Sequence, residues 1–282
     1  MNKIGFIGYG SMARMLIDGF LSSKVITPNQ VIVSTRSKEK LEVLSTKWAG
    51  IHLAKDNKAV AHESKILFLC VKPLEILPVL VEIKDSLHAD THLVSMAVGV
   101  TLGDLQAFFN GRVTKLIPSF ASEVQEGISL VCHNDKVQKD DLQTIESLLN
   151  SISRVVQIDE SDFEAAGDLT SCAPGILTAI FKNFVEAGLR NSHLSSQTAH
   201  EMVSASVFGT ATLLMKKQLG FSEMIARVAT KGGITEEGIK VVDQSLPSVF
   251  DEVFQKTLEK HNKIKSMIRE QVTHLQTKSP GS

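Results

Sequence analysis

The chain has 282 residues, 43% of them hydrophobic and 22% charged, with a formal net charge of −1. That length accommodates two ordinary domains with buried cores, and the near-neutral balance argues against a general nucleic-acid binder. No apolar run reaches membrane-spanning length, strand residues begin at Lys3, and none of Cys70, Cys132 and Cys172 forms a C-x-x-C; a cytoplasmic protein with reduced thiols and no membrane partner is expected.

Ile4, Phe6 and Ile7 predict a short buried strand. Gly8-Tyr9-Gly10-Ser11-Met12-Ala13 follows as G-x-G-x-x-A, and Met15, Leu16, Ile17 and Phe20 continue as an apolar helical stripe. A dinucleotide pyrophosphate needs a tight turn, a close backbone approach and a helix N-terminus with free N–H groups. Gly8 suits the turn, Gly10 the approach, Ser11 and Met12 the first helical turn, and Ala13 the contact between helix and sheet.

Strand-like and helical stretches then alternate. Further strands are expected at 31–34, 66–71, 92–97, 113–117, 128–132 and 154–158, with helices at 38–48, 74–87, 102–109 and 139–149. The run Ile66-Leu67-Phe68-Leu69-Cys70-Val71 is apolar throughout, as a parallel strand buried on both faces requires. Pro78 is expected early in its helix or at a restart. This alternation predicts an α/β fold with a doubly wound parallel sheet over residues 1–158.

From 159 to 282 the texture changes to successive amphipathic segments, at 162–170, 174–189, 195–219, 222–228, 235–245 and 246–269, and an all-helical second domain is expected. Residues 273–282 are polar, end in Pro-Gly-Ser, and are expected to fray. Val203, Val207, Ala211 and Leu214 give the 195–219 segment more apolar surface than one face needs, which predicts a homodimer or a higher homo-oligomer.

An NAD-preferring site places an acid at the end of the second strand. Here Val33-Ser34-Thr35-Arg36-Ser37-Lys38 has none before Glu39, while Thr35, Arg36 and Ser37 suit a 2′-phosphate, so NADP(H) is favoured over NAD(H). The nine histidines show no H-E-x-x-H, and no metal is expected.

Several segments together resemble pyrroline-5-carboxylate reductases, over nearly the whole chain. These are the opening Gly-rich turn, Cys70-Val71-Lys72-Pro73, Ser95-Met96-Ala97-Val98-Gly99, and Gly232-Gly233-Ile234-Thr235 for the family's G-G-x-T. The resemblance implies an N-terminal Rossmann domain and a helical dimerisation domain. It also implies NADPH-dependent reduction of a cyclic imine, 1-pyrroline-5-carboxylate, to proline. Val71, Lys72, Pro73, Ser95 and Ser119 would frame the cofactor. The amides of Gly232, Gly233 and Ile234 would hold the substrate carboxylate, Thr230 would support that loop, and the Thr235 hydroxyl would reach the imine nitrogen as the catalytic residue.

The departures cluster on the substrate side. Ser119 replaces an asparagine, Thr170-Ser171-Cys172-Ala173-Pro174 stands for S-G-S-G-P, and Lys231 replaces a proline. Glu236 and Glu237 bring two carboxylates toward a bound carboxylate, each costing up to ~3 kcal/mol at about 6 Å and an effective dielectric near 20. This pattern resembles the late-competence branch of the family in spore-forming bacteria, so a nucleotide-binding regulatory paralogue without proline synthesis is the second reading. A third, a β-hydroxyacid dehydrogenase, needs Lys and Asn four apart on one helix face, whereas Lys182 and Asn183 are adjacent.

Overall fold

The computed structural model describes residues 3–278. Its strands are β1 (Lys3–Ile7), β2 (Val31–Ser34), β3 (His52–Leu53), β4 (Ser64–Leu69), β5 (His92–Ser95), β6 (Arg112–Pro118), β7 (Gly127–His133) and β8 (Ser153–Gln157). They form one eight-stranded sheet in the order β3-β2-β1-β4-β5-β6-β7-β8. Alternate residues along each strand face opposite layers of helix. On one side Phe6, Val31, Val33, Phe68 and Val94 meet α1 (Ser11–Ser22) and α6 (Lys139–Asn150). On the other, Ile7, Ile32, Leu67, Leu69 and Leu93 meet α3 (Asn57–Glu63) and α4 (Pro73–Ile83). Phe6 and Phe68, on neighbouring strands, stack with ring centroids 4.8 Å apart. Each such side chain buried from water contributes roughly 1.5–3 kcal/mol, so the sheet register is strongly specified.

Every neighbouring pair is parallel except β6 and β7. The sheet is thus the doubly wound, mostly parallel one expected, and its one antiparallel pair has a simple reason. Residues 119–126 contain only a 3₁₀ turn (Phe120–Val124), too short for a crossover, so the chain must return antiparallel. β3 and α3 had no counterpart in the expected elements: β3 is two exposed residues, and α3 buries only Val60 and Ala61, so neither has a readable period. α2 (Lys38–Lys47) follows β2 as expected, while α5 (Leu102–Gln106) is shorter than its apolar pattern suggested.

Pro78 lies inside α4 with no restart. Its missing N–H leaves the Leu74 carbonyl without its helical donor. Gln271 Nε2 takes that place at 3.0 Å.

After β8 the described chain is helical: α7 (Phe163–Gly167), a π turn (Asp168–Cys172), α8 (Ala173–Arg190), α9 (Ser196–Lys217), α10 (Phe221–Val228) and α11 (Ile234–Lys278). The breaks expected near residues 171–173 and at 245–246 are absent. α7 passes through the π turn into α8, and α11 runs 45 residues with Pro247 inside it. A proline removes one hydrogen bond, which a long helix survives. The frayed tail is corrected as far as Lys278: Ile268 is wholly buried, Val272 and Leu275 pack on the α4 side of the core, and Gln271 is tied to Leu74. The terminal Pro-Gly-Ser lies outside the described residues.

Compactness divides the chain elsewhere than composition does. One unit holds the residues through Pro174 and those from Thr257 onward; the other is Gly175–Lys256. In the first, Phe163 of α7 is buried against Ile117, Leu130 and Cys132. Nearby, Glu164 Oε2 meets Lys265 Nζ at 2.9 Å, and Asp168 accepts from the Thr257 hydroxyl at 2.6 Å and faces His261 Nε2 at 3.3 Å. These buried acids tie the end of α11 to the sheet, so the first helical residues after β8 belong with the strands.

Across β5, β6 and β7, Thr114 Oγ1 lies 2.7 Å from both His92 Nε2 and His133 Nδ1. Burial pushes His92 down to about 4, against a smaller upward pull from Asp141, with Arg112 and His133 adding to the depression. Burial lowers His133 as well. The unfolded chain therefore binds a proton below about pH 6.5 that the folded chain refuses, and stability is lost as pH falls through that window. Urea titrations are expected to show about 2 kcal/mol lost between pH 7 and pH 5 through His92, a loss that His92→Gln should largely remove. Equal slopes for the two proteins would contradict this account.

Candidate functional site

In the strand order, β2 and β4 flank β1, so the crevice past the carboxyl ends of β1 and β4 is the topological switch point. Gly8 follows β1 there with φ +94°. Its N–H donates to the Ser34 carbonyl at 2.9 Å, and Cys70 N donates to the Ile7 carbonyl at 2.8 Å. A Cβ at Gly8 would stand 2.8 Å from the Cys70 carbonyl oxygen and 2.9 Å from Val71 Cγ1. Only glycine fits both the dihedral and the space.

Gly10 caps α1 through its backbone alone. Arg14 N donates to the Gly10 carbonyl at 2.9 Å, so the amides of Ser11, Met12 and Ala13 have no carbonyl to meet within the helix. The first turn carries no acid, and nothing lies within 4 Å of a Cβ built on Gly10. An open, uncapped and positively polarised helix end of this kind fits a pyrophosphate.

A cleft of about 480 Å³ opens from this turn and gathers Gly8, Gly10, Thr35, Arg36, Ser37, Val71 and Lys72. Pro73 opens α4 beside it. Ser95 ends β5 and Ser119 follows β6; both are buried, and each hydroxyl faces a nearby amide of its own loop, Ala97 and Ala121, at 3.4 Å. The cleft also holds residues that periodicity did not single out, among them Asn57, Glu75 and Glu82. Asn57 accepts from the Ser34 hydroxyl at 2.7 Å and donates to Glu82 at 3.0 Å. The signal for it was Asp56, whose side chain caps α3 by accepting from Ala59 N at 2.8 Å.

The thiols offer no activated nucleophile. Burial holds Cys70 far above its ordinary value, pushes Cys132 up to about 12, and together with Asp168 raises Cys172. Among the described residues no group of three His, Cys, Asp or Glu side chains could hold a metal ion, and no described helix is long and apolar enough to cross a membrane. Lys182 is exposed and pairs with Glu186 at 3.7 Å, while Asn183 donates to the Ala179 carbonyl at 2.8 Å.

In the second unit, Thr230, Gly232, Gly233, Ile234 and Thr235 form one turn opening α11. Gly233 N donates to the Thr230 carbonyl at 2.9 Å, and Gly232 adopts φ +73°. A Cβ at Gly233 would lie 2.7 Å from Thr230 Oγ1, so Thr230 and Gly233 pack as a unit. Ile234 is 95% exposed. The Gly232 amide donates to Glu236 Oε2 at 2.6 Å, and Glu237 pairs with Lys240 at 2.6 Å. A carboxylate of the chain itself thus sits on an amide of this turn.

The family model for pyrroline-5-carboxylate reductase dimerisation matches residues 160–264, and that for coenzyme F420-dependent NADP oxidoreductases matches residues 3–99. The chain is 37% identical to pyrroline-5-carboxylate reductase 3 of Bacillus subtilis, over 96% of this chain and 100% of that protein. It is 29% identical to ComE operon protein 4 of the same organism, over 95% of this chain and 98% of that protein. A solved pyrroline-5-carboxylate reductase from Coxiella burnetii has a TM-score of 0.84 at 28% identity, with 93% of this chain and 98% of that one covered.

Gly8→Ala is expected to weaken dinucleotide binding at least tenfold in a fluorescence titration, because the methyl group drives the turn away from Cys70. Unchanged affinity would remove the close approach from the account of this cleft.

Proposed function

Because the chain belongs to the pyrroline-5-carboxylate reductase family, we propose that it reduces 1-pyrroline-5-carboxylate to proline with a reduced nicotinamide dinucleotide. The observation that carries this reading is one chain holding both an open, uncapped α1 N-terminus at the sheet's switch point and a Gly232-Gly233-Ile234-Thr235 turn opening α11. Bound in the cleft, the dinucleotide supplies a hydride for the carbon of the C=N bond. The chain's own task is placement: Gly8, Gly10, Ser11 and Met12 hold the pyrophosphate, and Val71, Lys72, Pro73, Ser95 and Ser119 border the rest of the cofactor. The amides of Gly232, Gly233 and Ile234 take the substrate carboxylate, with Glu236 yielding the Gly232 amide. Thr230 braces the turn, and the Thr235 hydroxyl hydrogen-bonds the imine nitrogen, which takes its proton from water so that hydride addition to the carbon yields the neutral ring amine.

NADPH is the preferred donor in this reading. β2 ends without an acid, and Arg36 stands in the cleft with Thr35 and Ser37, where a guanidinium and hydroxyls suit a 2′-phosphate. The three free thiols support a reducing, cytoplasmic setting. A homodimer is the proposed assembly, and residues 159–282 its substrate and dimerisation part. Within the second unit Phe184, Phe208, Met215 and Phe221 are each more than two-thirds exposed, and α9 buries only Ala199. Such an apolar surface suits a second copy of the chain.

Mixing the protein with NADPH and 1-pyrroline-5-carboxylate should consume NADPH and yield proline in equal amounts. Binding of NADPH with no turnover above background would overturn the enzymatic reading in favour of a nucleotide-binding regulator. Thr235→Ala should lower kcat about a hundredfold while leaving NADPH affinity unchanged. Arg36→Ala should raise KM for NADPH on the order of tenfold and leave that for NADH nearly as it was.

A further inference from the structure

α4 and the residue before it bring Lys72 and two acids to the cleft. Glu75 stands in the first turn of α4 and Glu82 two turns further on; both line the cleft. Glu82 is engaged by Asn57, but Glu75 reaches across to the loop beyond β2: Arg36 Nη2 lies 2.6 Å from Glu75 Oε1. The guanidinium suited to a 2′-phosphate is already held by a carboxylate of the same chain.

We propose that Glu75 is a specificity-determining residue that narrows the preference for 2′-phosphorylated dinucleotides by latching Arg36. The inference rests on reading the cleft as the dinucleotide site. A 2′-phosphate must either draw Arg36 away from Glu75 or share it, and sharing sets a phosphate dianion beside a carboxylate. A nucleotide with a free 2′-hydroxyl leaves the pair undisturbed. Only the phosphorylated ligand therefore bears the cost.

Glu75 is anchored independently of Arg36. Pro73 occupies the first position of α4, Glu75 N donates to the Lys72 carbonyl at 2.8 Å, and an acid in a first helical turn is favoured by the helix dipole. The carboxylate thus remains at the cleft when Arg36 leaves it. The Arg36 side chain is 85% exposed and that of Glu75 33%, so solvent screens the pair and the effect is a tuning of preference, on the order of two- to fivefold in affinity.

Calorimetric titration of the full-length protein with adenosine 2′,5′-bisphosphate and with adenosine 5′-monophosphate tests the latch. Glu75→Gln should bind the bisphosphate about two- to fivefold more tightly and the monophosphate as the unmodified chain does, with the gain shrinking in high salt. In an Arg36→Ala background the gain should shrink to the smaller part that comes from direct repulsion between Glu75 and the phosphate. A gain undiminished there, an equal change for both ligands, or weaker bisphosphate binding in Glu75→Gln would overturn the latch while leaving the cleft assigned. Failure of both nucleotides to bind the unmodified chain would overturn the cleft and the latch together.

Discussion

The cleft depends on one close approach, the bare Cα of Gly8 against the Cys70 carbonyl and Val71. That contact exists because β1 and β4 are hydrogen-bonded neighbours whose chains leave the sheet at the same level, with Cys70 N on the Ile7 carbonyl. With a side chain at Gly8, α1 could not start where it does, and its free amides would point elsewhere. The two hydrophobic layers hold β1 and β4 in register, and the register sets the turn. Packing energy in the sheet is thereby converted into the position of a helix terminus.

The residues that make this end of the molecule were legible because each obeys a local rule. Gly8, Gly10 and Ala13 are read from a spacing, and the strands from Val31, Ile66, His92 and Ile128 from apolar runs long enough to show a period. Asn57, Glu75 and Glu82 obey no such rule. They reach the cleft because α3 and α4 pack side by side over the sheet, a tertiary fact that neither α3's seven residues nor the proline within α4 announces. The return of β7 against β6 was likewise hidden, since a short 3₁₀ turn has no hydrophobic signature.

In the helical half, segments were legible but their ends were not. Breaks were expected near 171–173 and at 245–246, yet a π turn carries α7 into α8 and α11 is unbroken there, with Pro247 inside it. The far end of α11 was the least legible part. Residues 273–282 read as a polar tail, yet Leu275 packs on the α4 side of the core, one turn past Gln271 on the Leu74 carbonyl. The match of residues 160–264 to a dimerisation family gives meaning to the phenylalanines there that are more than two-thirds exposed in a single copy.

Own-chain carboxylates stand at both ligand-binding positions proposed for this protein, Glu75 on Arg36 and Glu236 on the Gly232 amide. Both sites are stabilised without ligand, and both ask an incoming anion to displace an internal one. Hydride transfer to the imine carbon is tested most directly with NADPH carrying deuterium at both C4 positions, 1-pyrroline-5-carboxylate, and mass spectrometry of the product. Proline with a single deuterium at C5 is the predicted result. Proline without deuterium, or no proline from a protein saturated with the cofactor, would contradict hydride transfer at this site.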